Sequence, residues 1–250
     1  MTSCKIGETD IPVTAERDDI DVAKVVDAVP FKDWCARMAK DPRIKVSSIL
    51  IQSVDMFGPR IGFIKFKTEA TVDGKFVPGI VFMRGGAVAI LVILRSAADK
   101  KEYTLIVRQP RIAVGKDNLP EIPAGMLDGD GNFGGVAAKE MKEETGLEIT
   151  QSDLIDMTQL AYGDQFPGMF PTCGGSDEFN RLFLYRKEMP DEKIKELQGK
   201  LTGVAAEGEM IKLEIIPFEN LWQVSPDAKA LAALCLHDNL IRGKEIPKDW

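Results

Sequence analysis

The stretch that decides the fold runs from residue 119 to residue 147 and reads LPEIPAGMLDGDGNFGGVAAKEMKEETGL. It predicts a short strand, EIPAG, followed by a glycine-rich loop. A helix then runs from Val136 and ends at Gly146, because glycine commonly follows the last helical turn. Glu140, Glu143 and Glu144 stand at positions i, i+3 and i+4 of this helix. Such positions share one helix face, so three carboxylates are predicted to converge there.

Two interpretations of these carboxylates are open. Like charges repel at this spacing unless a cation lies between them, and hard oxygen ligands of this kind suit Mg²⁺ or Mn²⁺. The alternative is a solvated helix face on which Lys139 pairs with Glu143 four residues later. Charge runs on helices are usually of the second kind, so the three residues alone favour the solvated face and the metal site needs support from their context.

The segments before the central stretch indicate a β-rich N-terminal region. Between residues 47 and 83, the alternating apolar runs IGFIKFKTEATV and KFVPGIVFM are separated by Asp73-Gly74, a strong hairpin signal. We therefore expect residues 1–83 to form an N-terminal extension with a small antiparallel β subdomain. Residues 84–250 are expected to form the main domain.

The main domain mixes strands and helices without strict βαβ alternation. Strands are predicted in AVAILVIL, in YTLIVRQ, near residues 154–161, at 181–186 and in MIKLEIIPF, and helices in DEKIKELQGKL and from Asp227 to about Ile241. This order predicts an α/β fold of the mixed α+β kind, in which a mixed sheet is sandwiched between helices.

Composition limits the partners and the compartment. The net charge is −7, from 32 basic and 39 acidic residues, and nucleic-acid binders usually show a basic excess, so no nucleic-acid partner is expected. A transmembrane helix needs about 20 apolar residues, and the longest uninterrupted apolar run, Ala87 to Leu94, is far shorter, so no membrane partner is expected. The N-terminus mixes charges and lacks signal- or transit-peptide features, which predicts a cytoplasmic protein. The four cysteines are scattered without a CxxC pair, so they are expected to be reduced thiols.

The central stretch also carries a long motif. Gly125, Lys139-Glu140-Met141, Glu143-Glu144 and Gly146-Leu147 reproduce the spacing of the Nudix box, G-x5-E-x7-R-E-U-x-E-E-x-G-U, where U is a bulky aliphatic residue. The sequence resembles the Nudix hydrolases, which cleave a nucleoside diphosphate linked to another group with Mg²⁺ held by the box glutamates. It departs from the box twice, because Gly131 stands at the first glutamate and Lys139 replaces the arginine. The two departures belong together, since an arginine gains little without its acidic partner.

The resemblance implies a set of roles for the box and its surroundings. Glu140 and Glu144 would bind Mg²⁺, or Mn²⁺ in its place, and Glu143 would be a third ligand directly or through water. The backbone carbonyl of Ala124 would complete the metal shell, and Glu143 and Glu144 would also serve catalysis. Gly125 and Met126 would line the substrate site.

A second resemblance concerns residues 109–127, QPRIAVGKDNLPEIPAGML, and the loop FPGMFPTCGGSDEF. Both are similar to the ADP-sugar diphosphatases, and the similarity to the plant-type enzymes extends from about Gly58 to Asp227. It implies that ADP-ribose or ADP-glucose is hydrolysed to AMP and a sugar phosphate. It also implies that Glu178 is the catalytic base, with Asp177 as the neighbouring alternative and a plain polar turn as the non-catalytic one.

The chemistry supports a carboxylate in that role. Diphosphate hydrolysis needs an activated water and a base near the attacking oxygen. The single histidine, His237, lies in an apolar helical stretch, so the base must be a carboxylate or a metal-bound hydroxide.

The remaining expectations concern substrate contacts and assembly. By resemblance, Arg111 contacts the substrate phosphates and Arg84 is a weaker candidate of the same type; the alternative for Arg111 is a strand-edge arginine paired to an acid. A homodimer is expected, with residues 58–83 helping to build the partner's nucleoside pocket, although Phe57 and Phe63 suit an ordinary core equally well. Rival functions are the same chemistry on UDP-sugars or dinucleotides, and a Nudix-fold sensor that binds a nucleotide sugar without cleaving it.

Overall fold

The computed structural model describes residues 2–127, 131–203 and 210–250. The chain divides into two compact units. The first comprises Met1–Gly86 together with Thr172–Glu178, and the second comprises Ala87–Pro171 and Phe179–Trp250. The sequence had assigned residues 172–178 to the main domain, whereas in the structure this short segment packs with the N-terminal residues.

The first unit is built on a six-stranded sheet. Its elements are β1 (Ser3–Ile6), β2 (Thr9–Ala15), α1 (Val22–Asp27), α2 (Val29–Met38), β3 (Ile44–Phe57), β4 (Arg60–Val72), β5 (Lys75–Val77) and β6 (Ile80–Met83). The strand order is β1-β2-β3-β4-β5, with β6 also paired to β4. The pairs are antiparallel except for β2 and β3, which run parallel. The expectation of a purely antiparallel sheet is therefore wrong for this one pair.

The predicted hairpin at Asp73-Gly74 is confirmed as the turn between β4 and β5. Both residues have positive φ, at 48° and 76°, and Val72 and Lys75 pair directly across the turn. Two successive positive φ values define the type I′ turn, whose twist matches that of antiparallel strands. Helix α2 covers the sheet with an aromatic contact, because the Trp34 ring meets the Phe66 ring of β4 edge-on at 5.1 Å between centroids.

The second unit contains the longer sheet and most of the helices. Its elements are β7 (Gly86–Ser96), β8 (Glu102–Arg111), β9 (Lys116–Glu121), β10 (Ala124–Met126), α3 (Phe133–Thr145), β11 (Leu154–Asp156), α4 (Met157–Tyr162), β12 (Phe179–Met189), α5 (Asp191–Leu197), β13 (Leu201–Thr202), β14 (Ile211–Pro217), α6 (Leu221–Val224) and α7 (Ala228–Arg242). The strand order is β11-β12-β7-β8-β14-β13, with β10 paired to β7 and β9 to β8.

Strand β7 shows why helices cover both faces of this sheet. Its residues 87–94 are all apolar and buried, and their side chains point alternately to opposite faces. Val88, Ile90, Val92 and Leu94 pack in one cluster with residues of α3 and α5. The alternate residues Ala89, Leu91 and Ile93 pack in another cluster with residues of α4 and α7. The predicted mixed sheet between helices is therefore confirmed.

The predicted helices of the second unit are confirmed near the expected positions, but one strand prediction is wrong. Residues 154–161 form a strand of only three residues, β11, followed by helix α4. The Asp156 side chain accepts a hydrogen bond from the backbone N–H of Gln159 at 2.9 Å and caps that helix. The apolar content of the segment had indicated a strand, whereas an aspartate at this position starts a helix.

Candidate functional site

Helix α3 is positioned by its own ends and by its apolar face. The Asn132 side chain accepts a hydrogen bond from the Gly135 N–H at 3.0 Å, and Gly146, with φ of 74°, ends the helix in the left-handed conformation. Ala137 and Met141 are fully buried in the core. The rotation of the helix about its axis is therefore set, and this rotation directs Glu140 and Glu144 toward β10.

Two of the three glutamates converge on consecutive backbone positions of β10. The Glu144 carboxylate is only 4% exposed and accepts a hydrogen bond from the Ala124 N–H at 2.9 Å. The Glu140 carboxyl group lies directly over Gly125. A β-carbon at position 125 would stand only 1.9 Å from Glu140 Cδ and 2.1 Å from Oε1. A side chain at position 125 would displace the Glu140 carboxylate from this place beside β10.

The third glutamate takes a different partner. Glu143 forms an ion pair with Lys139 at 3.7 Å, with the lysine mostly exposed and the glutamate one-third exposed. The pair that formed the solvated-face alternative is thus present, and it coexists with the convergence of Glu140 and Glu144. Helix α3 combines one partly solvated carboxylate with two that lie against β10.

The donors at this place suit a hard divalent cation. Glu140 and Glu144 offer only oxygen ligands, which Mg²⁺ and Mn²⁺ prefer, and Mg²⁺ commonly binds through one or two carboxylates while keeping several waters. Among residues 2–127, 131–203 and 210–250, no three His, Cys, Asp or Glu side chains are preassembled as a metal cluster. The oxygens of Glu140 and Glu144 fit such a cation, with further oxygens completing its shell.

Arg111 lies at the end of β8 and is held by a buried acid. Its Nε and Nη2 atoms donate to the two carboxylate oxygens of Glu121 at 2.6 and 3.1 Å. Glu121 is 2% exposed, whereas the Arg111 side chain is 43% exposed. The arrangement of a strand-edge arginine paired to an acid is therefore present, and it leaves an accessible guanidinium in a fixed plane.

A buried lysine completes this network from helix α7. Lys229 Nζ donates to Glu121 Oε2 at 2.9 Å and to Asp227 Oδ1 at 3.0 Å. Ser225, just before the helix, donates from its hydroxyl to the Pro120 carbonyl at 2.7 Å and so ties this region to β9. Two cations and two carboxylates thus form a compact network behind the exposed end of Arg111.

The pKa directions follow from this network. Burial pushes the pKa of Glu121 upward, but the hydrogen bond from Arg111 and the charge of Lys229 outweigh it and leave that pKa below the ordinary value. Burial pushes the pKa of Lys229 downward, and the carboxylates of Glu121 and Asp227 reverse this, so that pKa is raised. The pKa of Arg111 is likewise raised against burial, by Glu121 first and also by Glu144 and Asp227. All three groups are therefore charged at neutral pH.

Asp177 and Glu178 belong to the first unit, with contrasting environments. The Asp177 side chain is 1% exposed and accepts hydrogen bonds from the backbone N–H groups of Arg84, at 2.9 Å, and Gly85, at 3.2 Å. Arg37 adds an ion pair at 3.4 Å. Asp177 therefore holds its segment to the backbone of Arg84 and Gly85 within the first unit, an architectural role that competes with proton transfer.

Glu178 is the more available of the two acids. Its side chain is 17% exposed and lies 3.6 Å from Arg84 Nη1, measured to Oε1. Its backbone N–H donates to the Ser176 hydroxyl at 3.2 Å. The Arg84 guanidinium in turn lies 6.0 Å from the centroid of the Phe63 ring. The structure thus groups Glu178, Arg84 and Phe63 within the first unit, and Arg111 with the α3 glutamates within the second.

Comparison with known proteins identifies the family. The model of the NUDIX domain matches residues 83–235, which is more than half of the chain. The chain belongs to the NUDIX family. Nudix hydrolase 14, chloroplastic, from Arabidopsis thaliana is 41% identical over 239 residues, covering 91% of this chain and 76% of that protein. The protein of a crystal structure described as an ADP compounds hydrolase shares the fold, with a TM-score of 0.52 and 14% identity over 81% of this chain and 96% of that one.

Membership makes this chain a Nudix hydrolase, a class that acts on nucleoside diphosphate derivatives and generally uses divalent metals. Of its two departures from the box, Gly131 is exposed, and a β-carbon built there meets no atom within 4 Å. Packing therefore does not require glycine at 131. Residues 128–130 of the glycine-rich loop lie outside the described residues.

Two residues of the Arg111 network were not identified from the sequence. Glu121 was read only as part of a strand and Lys229 only as part of a helix. The available signal was a charged residue within each apolar-patterned segment, EIPAG and AKALAALCL. Pairing these two charges requires knowing that residues 108 positions apart meet, and no local pattern contains that information.

Proposed function

We propose that this Nudix hydrolase cleaves the diphosphate bond of ADP-sugars such as ADP-ribose and ADP-glucose, releasing AMP and a sugar phosphate, with Mg²⁺ or Mn²⁺ as cofactor. The observation that carries the proposal is the convergence of the Glu140 and Glu144 carboxylates on Ala124 and Gly125. The preference for ADP-sugars rests on the resemblance of residues 109–127 and 166–179 to that group of enzymes.

Electrostatics explains why a cation belongs to this proposal. The protein carries a net charge of −7, and three of its carboxylates lie within about one turn of α3, so a diphosphate would be repelled from the bare helix. When bound, a divalent cation neutralises phosphate charge and lowers the pKa of a coordinated water. Glu140 and Glu144 would hold it, with Glu143 and the carbonyl of Ala124 as further ligands.

Arg111 would bind the diphosphate. Its guanidinium is planar and permanently charged, which suits bidentate contact with phosphate oxygens. Glu121 holds that plane through two hydrogen bonds, and Lys229 keeps Glu121 ionised. The guanidinium would therefore lose little conformational entropy on binding substrate, because its orientation is already restricted.

Glu178 would act as general base. In the reaction a water oxygen attacks phosphorus, the bridging P–O bond breaks, and the water proton passes to the base. Glu178 suits this role better than Asp177, because the Asp177 carboxylate already accepts two backbone N–H groups. Arg84 would orient Glu178 through the 3.6 Å ion pair or contact the substrate itself.

Further parts of the proposal concern substrate contacts and assembly. Gly125 and Met126 would line the substrate site beside the α3 carboxylates. Residues 1–83 would serve dimerisation and help to form the nucleoside pocket of a homodimer, while residues 84–250 would carry the hydrolase activity. No helix within the described residues is long and apolar enough to cross a membrane. The cytoplasmic localisation stays a prediction, and the name of the Arabidopsis relative says that that protein is chloroplastic.

The proposal is tested by incubating purified protein with ADP-ribose, ADP-glucose or UDP-glucose, each with Mg²⁺ or with EDTA. Release of AMP and UMP is followed by chromatography. We expect AMP from at least one ADP-sugar with Mg²⁺ and none with EDTA. Turnover of UDP-glucose alone would move the substrate class to UDP-sugars. Metal-independent binding without turnover would favour the sensor, the one alternative that the Gly131 and Lys139 departures support.

A further inference from the structure

A pair of thiols to which the proposed mechanism gives no role lies in the first unit. Cys4 on β1 and Cys35 on α2 are 31 positions apart in the sequence, yet their Sγ atoms are 3.9 Å apart. Cys35 is buried and Cys4 is partly exposed. The standard S–S bond is about 2.05 Å long, so the two sulfur atoms need to approach by only about 2 Å to form a disulfide.

Both cysteines line a surface cavity. It has a volume of about 340 Å³ and its lining includes Cys4 and Cys35. Lys5 and Lys32 also line it, alongside apolar atoms of Phe31 and Val26. A cavity of this size accommodates a small molecule, and Lys5, together with Lys32 in its ion pair with Asp27, offers positive charge to an anionic one.

The two thiols have different reactivity. The Cys35 thiol donates its hydrogen bond to the Cys4 sulfur. This bond lowers the pKa of Cys4, while the same bond and burial raise the pKa of Cys35. Because the thiolate is the nucleophile in disulfide exchange, Cys4 is the attacking residue and Cys35 the resolving one.

We propose that Cys4 and Cys35 form a dithiol modification site that is oxidised to an intramolecular disulfide by a small anionic disulfide, such as glutathione disulfide, entering this cavity. The Cys4 thiolate attacks one sulfur of the oxidant, forming a mixed disulfide and releasing one glutathione thiolate. The Cys35 thiol then loses its proton and attacks the Cys4 sulfur, which releases the second thiolate. Two protein thiols are oxidised, one disulfide is reduced, and the two protons end on the two glutathione molecules.

The other two cysteines provide an internal comparison. Cys173 and Cys235 are both exposed, and neither has a thiol partner among the described residues. They can form mixed disulfides with glutathione but have no resolving thiol nearby. The proposal therefore predicts that oxidised glutathione gives an internal disulfide at one pair and simple adducts elsewhere.

The test treats folded, reduced wild-type protein with glutathione disulfide, alkylates the remaining thiols, and maps peptides by mass spectrometry without reduction. We expect a Cys4–Cys35 peptide as the main product at this pair. In Cys35→Ser, a glutathione adduct should accumulate on Cys4. In Cys4→Ser, the buried Cys35 should lose its thiol at least ~10-fold more slowly than in the wild type. Cys235→Ser is the matched control and should leave formation of the Cys4–Cys35 peptide unchanged.

A second measurement tests the link in the folded state. The disulfide closes a loop of about thirty residues between β1 and α2, which restricts the unfolded chain, so oxidation should raise the Tm by several degrees in the wild type and not in Cys4→Ser. Circular dichroism of each serine variant establishes that it is folded before its reactivity is compared. Adducts at Cys4 with no Cys4–Cys35 peptide would overturn the proposal, as would oxidation of Cys35 in Cys4→Ser at the wild-type rate.

Discussion

The two groups of proposed catalytic residues are positioned in different ways. The carboxylates of α3 lie within five consecutive residues, and the helix itself places Glu140 and Glu144 on one face toward β10. Glu178 lies in a segment without regular structure. The preceding residue, Asp177, accepts hydrogen bonds from backbone N–H groups more than 90 residues earlier in the chain. Local helix geometry thus arranges the first group, whereas long-range hydrogen bonds arrange the second. Substitutions should therefore affect the first group through chemistry and the second through both chemistry and stability.

The largest effect is expected for Glu144→Gln. The amide can still accept the hydrogen bond of the Ala124 N–H, but it lacks the charge needed for a metal ligand, so kcat should fall by about 10²–10⁴ with little change in Tm. Steady-state AMP release and thermal unfolding check this. Glu148→Gln is the matched control, since Glu148 is an exposed glutamate paired with Lys142 just beyond the same helix. Wild-type activity in Glu144→Gln would remove this residue from the metal site.

The comparison is sharpened by the adjacent pair Glu178→Gln and Asp177→Asn. Loss of a general base should lower kcat by about 10²–10⁴ in Glu178→Gln without a large change in Tm. Asp177→Asn should instead destabilise the protein by about 1–3 kcal/mol, because a buried carboxylate with two N–H partners and an ion pair is neutralised. Measuring kcat and Tm of both variants beside the wild type distinguishes the catalytic role from the structural one. A large loss of kcat with unchanged Tm in Asp177→Asn would reverse the two roles.

The Arg111 network predicts an intermediate effect for Lys229→Met. This change leaves the buried Glu121 with one cation instead of two, which should cost about 2–4 kcal/mol of stability. The KM for an ADP-sugar should also rise, because the Arg111 guanidinium is less firmly oriented. Lys193→Met, at an exposed lysine paired with Glu196, is the control and should change stability by less than about 0.5 kcal/mol. If the cause is the negative charge that Glu121 retains with only Arg111 as partner, the double variant Lys229→Met/Glu121→Gln should regain part of the loss.

The same network predicts that the stability of the protein depends on pH. The pKa of Glu121 is lower in the folded protein than its ordinary value. Its stabilising contribution is therefore complete above the ordinary pKa of a glutamate and declines as the pH falls through the lower folded value. Tm measured from pH 7 to pH 3 should fall less steeply for Glu121→Gln than for the wild type. Parallel curves would show that Glu121 is not the group responsible.

The smallest effect is expected from restoring the Nudix box with Gly131→Glu and Lys139→Arg together. Position 131 has open space for a side chain, and replacing glycine there reduces the entropy of the unfolded chain, so stability should rise by up to about 1 kcal/mol. Activity should change by less than about threefold, since Glu140 and Glu144 are already placed. A gain of orders of magnitude in kcat would show that the natural chain lacks an essential part of the box.

The sequence by itself determined the mixed fold, the hairpin at Asp73-Gly74, the helix that ends at Gly146 and the three glutamates on its face. These features follow from periodicity, turn chemistry and spacing within a few residues, which are local properties of the chain. The resemblance to the Nudix box added the family, which the comparison with known proteins then confirmed.

Only the tertiary structure decided which glutamates lie against β10, which acid holds Arg111, and that residues 172–178 pack with the first unit. It also brought Cys4 within 3.9 Å of Cys35 and Lys229 within 2.9 Å of Glu121. Each of these contacts joins residues that are distant in the sequence. Such a contact forms because the folded backbone brings both partners together, and for the charged pairs burial also raises the cost of leaving a charge unpaired; neither condition can be evaluated from one segment alone.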